Sequence, residues 1–214
     1  MSIKDSKERT AQIYQRKAKS YDLSGIASLE TKRRQANKEL RLKSGDLIVD
    51  IGCGTGLNFS PLHKAVGSHG KIIGVDFSGA MLERARQKIV ENQYENVELV
   101  QGDAASFDFP NETNGIISTL ALTFIPEAAD VIHNGAAALA TGARWVVMDM
   151  AWPSGMPLWL RHLIPGLSAY GITRQEIEQR PWEKVWAAMK EILVDPQRRF
   201  FWTGFFYIAS GQKP

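Results

Sequence analysis

The chain has 214 residues, 44% of them apolar and 23% charged, a balance that suits one folded domain and excludes a disordered or fibrous chain. A net charge of +3 is too small to imply a nucleic-acid partner, and Cys53, the sole cysteine, excludes an intrachain disulfide or a cysteine-built metal framework. The scattered histidines have no metal-ligand spacing, no apolar run approaches the ~20 residues of a membrane span, and the polar N-terminus lacks a leader pattern. The expectation is a cytoplasmic protein without a metal, with peripheral membrane contact left open.

Residues Ser6 to Lys19 read as a helix ending near Tyr21-Asp22, and Leu29 to Leu42 as a second, closed by Ser44-Gly45. Up to Lys43 basic residues outnumber acidic ones, through Arg16, Lys32, Arg33, Arg34, Lys38 and Arg41. Such a segment is either a pair of solvated helices or a face that meets anionic lipid or a phosphate-bearing substrate. Arg33 and Arg34 are the substrate candidates here, because a guanidinium fork suits phosphate or carboxylate.

The stretch Leu47 to Gly56, LIVDIGCGTG, organises the rest. Leu47, Ile48, Val49 and Ile51 form a strand buried on both faces, and Gly52, Gly54 and Gly56 let the chain turn sharply under a ligand. At the carboxyl end of a parallel strand, such a loop presents backbone N–H groups in the crevice where open α/β sheets bind nucleotide-like ligands. A dinucleotide fingerprint needs G-x-G-x-x-G; Gly56 comes one residue too early, and Asn58 follows. Asp50 also puts a carboxylate where a pyrophosphate would be repelled and a cationic or zwitterionic ligand attracted.

Asn58 to Val66 is expected to be a helix with Pro61 tolerated in its first turn, and Lys71 to Asp76 a second strand. Ser78 caps a helix to about Val90, a third strand runs from Val97 to Gln101, and Gly102-Asp103-Ala104 follows it. Asn114 to Leu122 is the fourth strand with its exit, then come a helix from Glu127 to Leu139 and a fifth strand from Arg144 to Met150.

Three ordered blocks, DIGCGTG, KIIGVD and VELVQGDA, give the chain its resemblance to the class I S-adenosylmethionine-dependent methyltransferases. The resemblance implies S-adenosylmethionine as cofactor, S-adenosylhomocysteine as product, and a Rossmann-like α/β three-layer sandwich with a seven-stranded, mostly parallel sheet and an antiparallel last strand. It also implies that Asp76 takes the ribose hydroxyls, that Asp103 accepts from the adenine amino group and that Ala104 lines the ring. Phe77 and Met81 are expected to pack on the adenosine. Asp50, Gly52, Cys53, Gly54, Gly56, Asn58, Gly102 and Thr119 complete the expected cofactor site together with Tyr14 and Tyr21, which with Lys17 are candidates on a lid, formed by residues 1–43, that folds over the cofactor.

The fourth strand's exit is almost wholly apolar apart from Ser118, Thr119 and Thr123, and lacks the polar motif that holds a nucleobase nitrogen in nucleic-acid methyltransferases. Leu120 there is a substrate candidate for a small or apolar-tailed acceptor. His133 reads as a surface or packing residue. Catalysis is expected to be driven by orientation, with Tyr21, Asp149 and Tyr207 as the candidates for a catalytic side chain. After the expected cofactor core, 44–150, the segment Ala151 to Tyr170 is rich in Trp, Leu, Pro and Gly. With Trp152, Trp159 and Tyr170 it roofs an apolar pocket, lies at a membrane interface, or simply caps the core. A helix or helix pair follows from Thr173 to Ile192, broken at Arg180-Pro181, and then a hairpin of Arg198–Trp202 and Phe205–Ser210, all within one domain.

The YD pair at Tyr21-Asp22, the run DIGCGTGLNF and the apolar insertion look most like methyltransferases acting on phospholipid head-group amines such as phosphatidylethanolamine. Methylation of carbon or oxygen on a quinone precursor or small natural product is the alternative, and a non-catalytic cofactor-binding module is a third reading of a different class.

Overall fold

The structure is a computed structural model describing residues 3–23, 29–163 and 172–214. Strands β1 (Leu47–Ile51), β2 (Lys71–Asp76), β3 (Val97–Gln101), β4 (Thr113–Thr119), β5 (Leu139–Met150), β6 (Val194–Phe201) and β7 (Phe206–Gln212) form one sheet in the order β3-β2-β1-β4-β5-β7-β6. Every pairing from β3 across to β5 is parallel, and β7 alone runs against its neighbours. The seven-stranded, mostly parallel sheet with a reversed last strand is therefore as expected.

Between them lie α1 (Ile3–Lys17), α2 (Glu30–Glu39), α3 (Phe59–Val66), α4 (Gly79–Asn92), α5 (Ala128–Ala138), α6 (Arg174–Gln179) and α7 (Pro181–Ile192). Side chains alternate across each strand, so Val49 and Ile51 meet a layer containing Val131, Ile132, Val185 and Met189 of α5 and α7. On the other face Ile48 and Ile72 meet Ala36 and Leu40 of α2, Phe59 and Leu62 of α3, and Leu82 and Ala85 of α4. Two covered faces explain why β1 is a near-continuous apolar run.

Details at element ends follow from backbone chemistry. α2 stops at Glu39, short of the expected Leu42, and Arg41 turns into the left-handed region with φ of 55°. The hairpin begins at Val194 rather than Arg198, because β6 is an edge strand: Pro196 removes no needed donor there, and a register shift between Val194 and Gln197 absorbs Asp195 at φ 47°. Ser78 caps α4, its Oγ accepting from the Met81 amide at 3.4 Å. Ser78→Ala should cost about 1 kcal/mol of unfolding free energy in urea titration; no change would show that the long bond carries nothing.

Chain order locates the crevice. From β1 the chain steps outward through β2 and β3, then returns to β4 on the opposite side of β1. The carboxyl ends of β1 and β4 are where the connections diverge, the place at which open α/β sheets bind ligands.

Candidate functional site

At that switch point a cleft of about 810 Å³ opens to solvent. Its floor is the glycine loop after β1. Gly52 sits at φ 67°, and a Cβ placed on it would come within 2.2 Å of the Ala121 Cβ, so the loop and the exit from β4 touch with no room for a side chain. Leu120, the first residue of that exit, has φ of 60°, an uncommon conformation for a branched side chain, and is held there by its amide donating to the Met148 carbonyl at 2.8 Å. Strain of this kind collects at ligand sites.

The walls follow strand order. Past β3 stand Gly102, Asp103 and Ala104; past β2, Asp76 and Phe77 with Ser78 and Met81; past β1, Gly52 and Gly54; past β4, Thr119, Leu120, Phe124 and Ile125. Asp76 is fixed by two amides, its Oδ2 accepting from Gly54 and its Oδ1 from Ser78, each at 2.8 Å. Burial raises its pKa against those two hydrogen bonds.

A further wall is α1, through Lys7, Thr10, Ala11 and Tyr14, with Tyr21 in the turn after it. Lys7 Nζ lies 2.6 Å from Asp103 and 2.7 Å from Glu127. Burial would lower the Lys7 pKa, but the two ion pairs outweigh it and raise it; burial would likewise raise Asp103, yet Lys7 and the Ala105 amide hold it below the usual carboxylate range. Tyr14 packs edge-on to Phe124, and Asp22 is tied to Thr55 and to Lys88. Lys7, Thr10 and Ala11 are absent from the sequence reading. Their spacing with Tyr14 is i, i+3, i+4, i+7, one helix face, which was the available signal; nothing local links Lys7 to Glu127.

Several expected cofactor residues lie behind the cleft. Asp50 is fully buried; its Oδ1 accepts from Asn58 at 3.0 Å and its Oδ2 has no protein partner. Burial pushes its carboxyl up to about 7, opposed by the Asn58 hydrogen bond and by Arg33, with Asp76 adding to the rise. Asn58 also donates to Thr119 Oγ1 at 3.1 Å and accepts from Asn37. Cys53 is buried with its thiol pKa raised by desolvation, and Gly56 turns against the Phe59 ring.

The substrate candidates separate. Leu120 lines the cleft. Arg33 does not project into it: it is buried and donates to Thr119 Oγ1 from behind, while Arg34 is exposed and paired with Glu30. Trp152 is buried, donating its indole N–H to the Met156 carbonyl, and borders a separate small apolar cavity with Ile172, Ile177, Trp182 and Phe205. Trp159 is 62% exposed, and Tyr170 lies outside the described residues. Asp149 and Tyr207 are fully buried away from the cleft, for structural reasons. Asp149 accepts from the Thr123 amide and hydroxyl and from the Met150 amide, bracing the β4 exit, and burial pushes it up to about 6 against those bonds. Burial drives the Tyr207 phenol well above its ordinary value.

This arrangement fits S-adenosylmethionine. The glycine floor leaves space for a close approach, carboxylates stand at two stations along the cleft, and the buried Asp50 Oδ2 has no hydrogen-bond partner in the protein. Among the described residues, no group of three His, Cys, Asp or Glu is placed to hold a metal ion, and no helix is long and apolar enough to cross a membrane.

A family model described as "Methyltransferase domain" matches residues 48–142. The demethylmenaquinone methyltransferase of Staphylococcus carnosus is 30% identical over 173 residues, covering 76% of this chain and 71% of that protein. The Staphylococcus saprophyticus demethylmenaquinone methyltransferase is 33% identical over 156 residues, covering 71% of this chain and 66% of that protein, just under two thirds of its length. In fold, a SAM-dependent methyltransferase from Aquifex aeolicus matches with a TM-score of 0.68 at 19% identity, covering 94% of this chain and 98% of that one. With the glycine loop, the switch-point cleft and this kinship together, the chain belongs to the class I S-adenosylmethionine-dependent methyltransferase family.

Proposed function

We propose that the protein transfers the methyl group of S-adenosylmethionine to a carbon or oxygen of an apolar aromatic acceptor of the quinone-precursor type. The observation that carries this reading is the acceptor end of the cleft, built from Tyr14, Tyr21, Leu120, Phe124 and Ile125 with no carboxylate among them. A flat apolar ring gains contact on every side there. Relatives named for demethylmenaquinone favour the same acceptor over the phospholipid amine suggested by Tyr21-Asp22 and the Trp-rich insertion. The non-catalytic reading has no support of its own.

In this reading the strands lay the cofactor out in order. Asp103 and Ala104 hold the adenine, Asp76 the ribose hydroxyls with Phe77 and Met81 against the nucleoside, and Gly52 and Gly54 the amino-acid part, above Asp50. When bound, S-adenosylmethionine supplies a methyl group on a positively charged sulfur. The residues past β4 would hold the acceptor's nucleophilic atom in line with that methyl, and the apolar side chains around them would exclude water. Orientation and exclusion of water do most of the work, a contribution of ~7 to 11 kcal/mol when geometry is tight. α1 and the turn after it act as the lid, and the loops after β1, β2 and β3 hold the cofactor; the acceptor role expected of 151–214 gains no support, since none of its described residues lines the cleft.

The test is S-adenosylhomocysteine release over a panel of reduced demethylnaphthoquinones with and without an isoprenoid tail, phosphatidylethanolamine, its monomethyl form and small amines. Turnover confined to the quinols is expected. Turnover on the phospholipids alone would replace this reading with the amine one.

A further inference from the structure

We propose that the face formed by α2, the cleft between α2 and α3, and the tip of the β6–β7 hairpin docks on an anionic lipid bilayer, with lipid phosphates seated in that cleft. This deepens the acceptor reading above and rests on it for its purpose, since an apolar-tailed acceptor resides in a bilayer; its observations are independent. The cleft is open, bordered by α2, Leu57 and the α3 residues Ser60, Pro61, Lys64 and Ala65, and shares no lining residue with the cofactor cleft. Arg34, Lys38, Arg41 and Lys64 line it with the buried Arg33, and Glu30 is the only acid among the described residues of its wall. Glu30 is already engaged by Arg34, whereas Lys38, Arg41 and Lys64 make no ion pair among the described residues.

Solvated helix faces usually neutralise such charges with i, i+4 partners. Here Lys38, Arg41 and Lys64 have no such partner among the described residues, and the field of Arg41 reaches Arg144, whose pKa burial and Arg41 lower against Glu39 and Asp195. A concave surface with an excess of cations attracts phosphate.

The second observation is aromatic. On the opposite flank of α2, Lys32 Nζ lies 5.1 Å from the centre of the Phe201 ring, which stacks on Phe206. Beside them Trp202 is 49% exposed at φ 48°, a costly backbone conformation for a bulky residue that gains little burial in return. Indole rings take this position where protein meets the head-group layer. Phe206 pairs with Met150, the carboxyl end of β5, so the tip stands on the rim where the cofactor cleft opens. The 62%-exposed Trp159 belongs to the segment that packs on this tip through Trp152 and Phe205.

Co-sedimentation of the full chain with phosphatidylglycerol and with phosphatidylcholine vesicles tests it. Binding to the anionic vesicles, weakened by salt, is expected, with little on phosphatidylcholine. Each basic residue near such a surface contributes about fivefold, so a Lys38→Gln, Arg41→Gln, Lys64→Gln variant should bind at least tenfold more weakly. Trp202→Ser should lose several-fold in a manner insensitive to salt. Calorimetric affinity for S-adenosylhomocysteine, unchanged in all variants, checks that they are folded. Equal binding to both vesicles, or full binding by the triple variant, overturns the proposal. So does tight binding of inorganic phosphate with no vesicle binding, which would assign the cleft to a soluble anion. Turnover of a tail-less quinol in solution is measured in parallel: its absence with vesicle binding intact sinks the acceptor reading alone, and its presence without vesicle binding sinks the docking alone.

Discussion

Asp76→Ala should lower the affinity for S-adenosylhomocysteine by more than about 100-fold while leaving the protein folded. Both carboxylate oxygens are anchored by amides, Gly54 on one side and Ser78 on the other, so the side chain is set in place before any ligand arrives. Each oxygen keeps a lone pair for one ribose hydroxyl, and a charge-assisted hydrogen bond contributes ~1.5 to 3 kcal/mol. Two of them amount to at least ~3 kcal/mol, which is over 100-fold in affinity. Alanine also strands the Gly54 and Ser78 amides, loosening the glycine loop. Asp76→Asn separates the two effects: it keeps an acceptor for one amide and one hydroxyl and should fall between wild type and alanine. Calorimetric titration reads affinity, and urea unfolding in parallel reads stability. Undiminished affinity in the alanine variant would take the ribose role from Asp76 and leave it as a brace for the loop.

The part of the site legible in sequence is the part whose signals are local. Gly52, Gly54, Asp76 and the pair Asp103-Ala104 each sit at a strand end within a few residues of an apolar run, and the order of three such ends fixes the sheet around them. Arg33 and Arg34 show where this fails. They are neighbours on one helix, and a rotation of about 100° per residue sends one guanidinium inward to Thr119 and leaves the other beside Glu30. The stripe that marks the inward face is thin, only Leu29, Ala36 and Leu40 around Arg33, and an arginine within it reads against the pattern. Trp152 and Trp159 pose the same problem in the insertion: seven residues apart in a segment of uniform composition, one is buried under Phe205 and the other faces solvent. The network of Arg33, Thr119, Asn58 and Asp50 draws on α2, β4, the start of α3 and β1, so it exists only once the sheet has assembled.

That network sets up the second expected result: Asp50→Asn should stabilise the cofactor-free protein at pH 8 by a few kcal/mol and at the same time weaken cofactor binding. The Asp50 carboxyl is held at about 7 in the folded chain, chiefly by burial, whereas in the unfolded chain it ionises near ~3.9. Between these values the folded state keeps a proton that the unfolded state has released. Stability therefore falls as pH rises from about 4 to about 7, by up to ~1.4 kcal/mol per unit, and levels off above. The charged groups facing Asp50 leave this sign intact. Arg33 and the Asn58 amide favour the carboxylate and Asp76 opposes it, all of them already acting within the value of about 7. Asparagine carries no charge to desolvate and its oxygen still accepts from Asn58, so its unfolding free energy should lack the Asp50 contribution to that decline. Function runs the other way, because the unpartnered Oδ2 is the one buried anion beneath the glycine loop whose second oxygen has no protein donor. A cofactor ammonium placed above it pulls the carboxyl back toward ionisation, so binding by the wild type releases a proton below pH 7 and tightens from pH 5 to pH 8; the asparagine variant should lose both the affinity and its slope. Urea titrations and calorimetry at pH 5, 6, 7 and 8 measure the two effects on the same samples. A wild type whose stability does not decline more steeply than that of the variant would mean that Asp50 stays ionised within its network, with Arg33 as the sufficient counter-ion and the ammonium bound elsewhere.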